Sequence, residues 1–463
     1  MTNPKQIRRL GILWLLSVLL WLCVMIELTT IVSYRHCFTA GELFAWVTAN
    51  GYEVSDIAGY CMRYVLPYWI VCTLIFGLVV WGTYWCVKKN LFWQCGAIIV
   101  LLLLPFVFFP FSSNLVRESS YVYRQIRNIY SHKNDSKSFS YNANRKDFMA
   151  QKEIYVLSIG ESVRYQNWSL NGTYPRQTTP LLAQQSNLCL YSDYYADATL
   201  TQHAIPLLFT PATADNFNDH FHYKSIAAAF REVGFKTVLV SHRAQLMNNG
   251  YHDYLAQDFD SIVFVEHDSL IASSIAELAQ QEHKLFIVAH YLGNHMFYTN
   301  RTEDCLVWRP DYNADSKVRS DSLFLNAYDN SLLYTDRLLK EVISVLDSTN
   351  TVCSWLFISD HGEYISPHVS GHGHTYYPVK EEYHVPLMVW CSDEYVAACP
   401  DKVTNMVKHK QDPVCADHIF WSVLDMAGVE IQEMKQNASI FGENICTQKR
   451  QLLLPDGKSI MQL

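Results

Sequence analysis

Three long apolar runs crowd the first 112 of the 463 residues, and they constrain the fold more than any other feature. They lie at 10–33, 64–87 and 91–111, each near the ~20 residues that an α-helix needs to cross a bilayer. The first holds a single charge, Glu27. It is too long for the apolar core of a signal peptide and no small-residue cleavage site follows, so it reads as an uncleaved helix. Lys5, Arg8 and Arg9 precede it, and Lys88 and Lys89 fill the turn between the second and third runs. Lysine and arginine at span ends mark the cytoplasmic side. Three crossings then put the rest of the chain outside, which in a bacterium with two membranes is the periplasm. The expectation is a multi-pass inner-membrane protein. The loop 34–63 falls on the same outer side, as a surface helix or as a plain connection.

Residues 113–150 read as a linker, with one helix over YVYRQIRNIYSH and an exposed tether over SKSFSYNANRKD. The domain that follows, 151–463, is long enough for a large core. A formal net charge of −8 argues against a nucleic-acid binder. Of thirteen cysteines, seven fall in this domain and none has CxxC spacing. Cys391–Cys399 and Cys415–Cys446 could pair in an oxidising compartment or stay buried thiols.

Short apolar runs alternate with helical patterns from residue 153 onward. Strands are expected at 154–160, 236–241, 284–290, 353–360 and 385–392, and helices at 224–235 and 322–348. This alternation predicts an α/β domain with a mostly parallel sheet flanked by helices. Such sheets bind ligands beyond the carboxyl ends of their strands. Glu161, His290 and the Asp360–His361 pair stand at such ends, and His295 lies five residues past His290.

Asp360 and His361, in SDHGE, offer a hard oxygen and a borderline nitrogen where the chain turns, a mixture suited to Zn²⁺. Glu161 can add a second carboxylate or serve only as a helix-start charge. HYLGNH (290–295) and GHGH (371–374) bring His290, His295, His372 and His374, able to bind metal, hold phosphate or move a proton. In ADATLTQHAIP, Thr199 and Thr201 precede an apolar segment. Either can cap a helix, and either can become a nucleophile if a metal stabilises the alkoxide.

With those residues in place, the chain resembles the phosphoethanolamine transferases that decorate lipid A and related lipids, in the sulfatase-like branch of the alkaline phosphatase superfamily. IGESVRYQNWSLNGTYPRQTTPLL (159–182), YDNSLLYTD (328–336) and HVPLMVW (384–390) look like family sequence. The resemblance implies an alkaline phosphatase/sulfatase-like domain behind an all-α transmembrane domain, acting as a monomer. It also implies Zn²⁺, one or two ions, held by Glu161, Thr201, Asp360 and His361, with Thr201 as the nucleophile. His290, His295 and His372 would meet substrate, with His374 as the fallback for His372. The implied donor is phosphatidylethanolamine and the implied acceptor is lipid A or a related glycolipid. A phosphoglycerol transferase would use the same threonine, and a catalytically dead scaffold would keep the fold. A sulfatase needs Cys or Ser in a Cys/Ser-x-Pro-x-Arg context, which TQHAIP lacks. Two departures stand out. Well-studied members have five transmembrane helices against the three expected here. The cysteines that bracket their nucleophile helix are replaced by Asp197 and Leu207.

Overall fold

Eight consecutive buried residues, Glu153–Gly160, form a strand that can only be central, because both of its faces are covered. This is β1 of the computed structural model, which describes residues 4–34, 54–55, 58–59, 61–89, 111–132, 134–145, 150–242, 253–295, 298–302, 304–311, 321–365, 370–373, 379–432, 435, 437–446 and 449–463. The other strands of its sheet are β2 (Leu188–Tyr191), β3 (Lys236–His242), β4 (Ser261–Val265), β5 (Lys284–His290), β6 (Val352–Ser359) and β7 (Leu387–Cys391). The order is β2-β7-β6-β1-β5-β3-β4. Neighbours are parallel except β7, which runs antiparallel to both β6 and β2. The sheet is therefore mixed, with one reversed strand.

All five strands expected from the sequence are present. The two edge strands, β2 and β4, went unread. β4 alternates between half-buried and exposed residues, including Ile262 and Phe264, and so lacks the long apolar run of a central strand. The helix expected at 322–348 is Asp321–Asp347. It buries Leu332, Leu338, Leu339, Val342, Ile343 and Leu346 in the main core with Trp355 and Phe357 of β6.

Register fixes the functional edge. Ile159 pairs with both His290 and Ile358, and Gly160 pairs with Ser359. The carboxyl ends of β5, β1 and β6 thus finish level, and the polar residues that follow them leave from one line.

The chain divides into two compact units, Met1–Ile126 and Arg127–Leu463. The first contains helices α1 (Pro4–Tyr34) and α2 (Leu66–Lys88), which coincide with the expected spans 10–33 and 64–87. Over the described residues no helix is long and apolar enough to cross a membrane. The expected span 91–111 lies outside the described residues except for its last position. Trp69 Nε1 donates to Thr29 Oγ1 at 3.1 Å and Trp21 Nε1 to Thr73 Oγ1 at 3.3 Å, tying α1 to α2.

The expected linker needs correction. α3 (Phe111–His132) is longer than the helix foreseen there. The expected tether is bound to the domain: Asn144–Arg145 pairs with Val429–Glu430, and Tyr141 is buried. The Arg145 guanidinium grips both oxygens of buried Glu153. A charged residue at the start of a fully covered strand requires such a partner. Neither expected disulfide forms. All four cysteines are free thiols. Cys391 Sγ packs 3.7 Å from Ser354 Oγ inside the sheet. The His418 ring stands between the other two, with Nδ1 3.5 Å from Cys415 Sγ and Nε2 3.0 Å from the Cys446 carbonyl.

Buried His203 and half-buried His384 contribute to acid sensitivity of the domain. Burial pushes His203 and His384 down to about 4, and His384 is stacked between Tyr165 and Tyr195. Both stay neutral in the folded state, whereas the unfolded chain takes up their protons below about 6.5. The stabilisation is complete above that pH and is lost as pH falls from about 6.5 to 4. At pH 5 the loss is at most about 2 kcal/mol per histidine. Thermal melts at pH 7.5 and 5 should show it, and replacing both residues by Gln should reduce the difference, with His290, which is also lowered to about 4, keeping part of it.

Candidate active site

The turn after β1 and the turn after β6 are locked to each other by short-range bonds. The Asp360 N–H continues the ladder to the Gly160 carbonyl at 3.0 Å. Asp360 Oδ1 accepts from the N–H groups of His361 (2.7 Å) and Ser162 (3.3 Å). Ser359 Oγ accepts from the Val163 N–H and donates to the His361 carbonyl, both at 2.8 Å. Glu161, Asp360 and His361 consequently face one point, all at most 1% exposed. One ligand atom from each lies within 4.8 Å of the others, an arrangement able to hold a metal ion.

The imidazole of His361 is oriented by its far nitrogen. Nδ1 meets the Gly362 carbonyl at 2.9 Å, which leaves Nε2 3.2 Å from Glu161 Oε1 and 3.4 Å from Asp360 Oδ2. This is the usual way to fix a ligating histidine. Burial alone would neutralise the group, but the two carboxylates raise it to about 10. Asp360 is pushed up to about 7 by burial and by Glu161. Burial opposes it, but His361 together with His295 and His372 holds Glu161 well below its usual range. Asp360 Oδ2 is buried without a hydrogen-bond partner. Two carboxyl groups and one nitrogen around a buried, unsatisfied oxygen fit a divalent cation such as Zn²⁺.

Thr201 completes the group. It is the first residue of helix α4 (Thr201–Phe209), after Leu200 in extended conformation. Its hydroxyl donates to Glu161 Oε2 at 3.2 Å and lies 3.4 Å from His361 Nε2. Helix N-terminal amides favour an anion at such a place. Thr199 is buried, two residues short of the helix.

The histidines divide. The His372 ring lies 4.1 Å from that of His361. His295 is half-buried and acts electrostatically on Glu161. Its loop is clamped: the Asn294 N–H bonds the Glu161 carbonyl at 3.0 Å, and the Leu292 and Gly293 N–H groups bond Asp268. Gly293 has φ +50°, and a Cβ there would stand 3.0 Å from the Glu161 nitrogen. His290 is buried at the end of β5 beside Glu161, with Nε2 unbonded, and burial lowers it to about 4. His374 lies outside the described residues. Sequence reasoning missed Glu363, Tyr298, Ser359 and Asp268. Glu363 and Ser359 stood in SDHGE itself; Tyr298 and Asp268 gave no signal.

A family model described as Sulfatase matches residues 153–429, more than half of the chain. The chain belongs to the sulfatase family. This membership agrees with the alkaline phosphatase/sulfatase-like α/β architecture of the domain. Similar proteins include the Kdo(2)-lipid A phosphoethanolamine 7''-transferase of Escherichia coli K12, 26% identical over 278 residues, 57% of this chain and 48% of that one. Phosphoethanolamine transferase EptA of Helicobacter pylori is 26% identical over 287 residues, 58% and 52% of the two chains. The chain spans about half the length of these curated relatives. Among solved structures, the C-terminal periplasmic domain of EcEptC from Escherichia coli, in complex with Zn, shares the fold at TM-score 0.62 and 20% identity, over 69% of this chain and 95% of that one. Integral membrane protein lipooligosaccharide phosphoethanolamine transferase A from Neisseria meningitidis does so at 0.68 and 18%, over 92% and 86%.

Two outcomes follow from this geometry. A Cβ on Gly362 would sit 2.3 Å from the Glu381 carbonyl, a backbone atom that cannot step aside. Gly362→Ala should therefore shift His361 and weaken zinc binding at least about tenfold, measured by chelator competition. A zinc ion bound there would displace the proton on His361 and what proton Asp360 holds, so uptake at pH 7 should release about one to two protons, and affinity should rise with pH toward about 10. Calorimetry in buffers of different ionisation enthalpy measures that release.

Proposed function

We propose that this protein is a membrane-anchored transferase that moves phosphoethanolamine from phosphatidylethanolamine to a cell-envelope lipid of the lipid A type. The observation that carries the reading is the Thr201 hydroxyl, 3.2 Å from Glu161 and 3.4 Å from His361 at a helix start. Glu161, Asp360, His361 and Thr201 would hold Zn²⁺, one ion or two. Bound there, the ion would lower the pKa of the threonine hydroxyl and neutralise phosphate oxygens.

The protein's own groups carry the remaining steps. Thr201 Oγ1 attacks phosphorus of the donor diester, and the bond to diacylglycerol breaks as its oxygen takes a proton. A phosphoethanolamine ester remains on Thr201. The acceptor oxygen then attacks the same phosphorus and the threonine hydroxyl is restored. Amides at the start of α4 bind the phosphate oxygens. His295 and His372 hold the phosphate or move the proton, and His290 stays buried at the end of β5.

The names of the two curated relatives support phosphoethanolamine as the transferred group, and one of them names lipid A. The membrane anchor rests on other observations. α2 leaves Leu74, Leu78 and Trp81 about two-thirds exposed, and α1 does so for Trp14. Surfaces of this kind are stable in lipid rather than water. The fold is also shared with an integral membrane protein over 92% of this chain. The domain 151–463 would then work on the periplasmic side of the inner membrane, with the chain acting as a monomer.

The test uses the full chain in detergent with phosphatidylethanolamine carrying a fluorescent acyl chain. Diacylglycerol should be released, and Thr201→Ala should lower the rate at least about 1,000-fold. Equal release by both proteins would overturn the reading. Mass spectrometry of the acceptor lipid should show a phosphoethanolamine increment; a phosphoglycerol increment would identify the other transferase class.

A further inference from the structure

Glu363 is a carboxylate that the chemistry above leaves without a task. It is 1% exposed, two residues after His361. Both of its oxygens are taken. Oε2 accepts from His372 Nδ1 at 2.8 Å, and Oε1 accepts from the Tyr298 hydroxyl. A buried carboxylate is costly unless it is fully bonded, so this one holds its partners firmly. His372 belongs to a segment near the site, and Tyr298 opens the short turn Tyr298–Arg301 that follows the His295 loop. One carboxylate therefore bolts two substrate-side loops together.

Tyr298 is fixed from its other side. Its ring meets that of Tyr328 edge-on at 5.1 Å. The Tyr328 hydroxyl donates to the Ser162 carbonyl at 2.7 Å and accepts from the Arg164 N–H at 2.8 Å. The contacts thus run unbroken from the turn that carries Glu161, through Tyr328 and Tyr298, to Glu363 and His372.

We propose that Glu363 and Tyr298 are positioning residues that fix the ring orientation and tautomer of His372 for the transfer reaction. With Nδ1–H donated to Glu363, Nε2 is the ring nitrogen left for substrate. His372 is one-fifth exposed and its ring lies 4.1 Å from that of His361, so the free nitrogen is reachable beside the metal site. A carboxylate behind a histidine also strengthens the hydrogen bond or proton acceptance at the far nitrogen. Tyr298 does for Glu363 what Glu363 does for His372: it removes the freedom to rotate. The inference rests on the transferase reading for what His372 does to substrate, and on geometry alone for how His372 is held.

The experiment uses the full chain, zinc-loaded in detergent, with fluorescent phosphatidylethanolamine. Glu363→Gln should lower kcat about 10- to 100-fold and Tyr298→Phe somewhat less. KM should move less than about threefold, with zinc content and melting temperature near those of the wild type. In a His372→Ala background both substitutions should lose nearly all their effect, because they act through that ring. Nitrogen-15 spectra should show the His372 Nδ1–H tautomer in the wild type and a mixture in Glu363→Gln. Loss of zinc in Glu363→Gln would make Glu363 a metal ligand and overturn the proposal. So would a full effect of Glu363→Gln without His372, or an unchanged tautomer. A wild-type protein that releases no diacylglycerol would refute the transferase reading instead, and the tautomer measurement would still decide this one.

Discussion

Two carboxyl groups buried against each other need positive charge between them, and this requirement organises the whole edge of the sheet. Glu161 and Asp360 leave adjacent parallel strands at the same level, because Gly160 pairs with Ser359. Neither is more than 1% exposed. Isolated, such a pair would be driven to protonate. The His361 imidazolium meets that need in the structure described here, and a divalent cation would meet it better. The surrounding loops serve to keep the three groups from relaxing apart. Asp329 and Asp336, on the long helix behind the sheet, show how far the bracing extends. Asp329 accepts from Asn167, Tyr174 and Arg176, and Asp336 from the Leu181 and Leu182 N–H groups. The family-like stretch 159–182 is thus wrapped onto the helix by acids, and its first turn cannot move without breaking them.

That arrangement explains which parts were legible in the sequence. Central strands announce themselves because burial on both faces demands uninterrupted apolar runs, as in Glu153–Gly160 and Val352–Ser359. The functional ends were legible for the same reason: a polar residue directly after such a run must leave the sheet at its edge. The register that brings Glu161, Asp360 and His361 together was not legible, since periodicity does not order strands. Thr201 was one of two open choices from its residues alone. The resemblance favoured it, and the structure places it, not Thr199, at the helix start.

The unread features depend on contacts between distant segments. Ile262 and Phe264 alternate on an edge strand and give too short a pattern. Arg145 appeared to lie in a solvated tether because nothing in SKSFSYNANRKD points to its partner, Glu153. Glu363 was visible in SDHGE, yet its role requires knowing that His372 and Tyr298 approach it from two other loops. A carboxylate beside a metal motif carries no mark that distinguishes ligand from brace.

Asp197 shows how the start of α4 is held where the resemblance would place a cysteine. Its side chain accepts from the Ala416 N–H at 3.1 Å, and its carbonyl accepts from the Leu453 N–H at 2.7 Å. The segment leading to Thr201 is therefore bound to two parts of the chain more than 200 residues away. A disulfide would act mainly by restricting the unfolded state. These hydrogen bonds act only once the C-terminal segments have docked. Asp197 is buried, and burial together with Asp417 raises its carboxyl well above the ordinary range. The start of α4 is thereby tied by hydrogen bonds to two distant segments, and the charge near Thr201 is left to Glu161, Asp360 and His361.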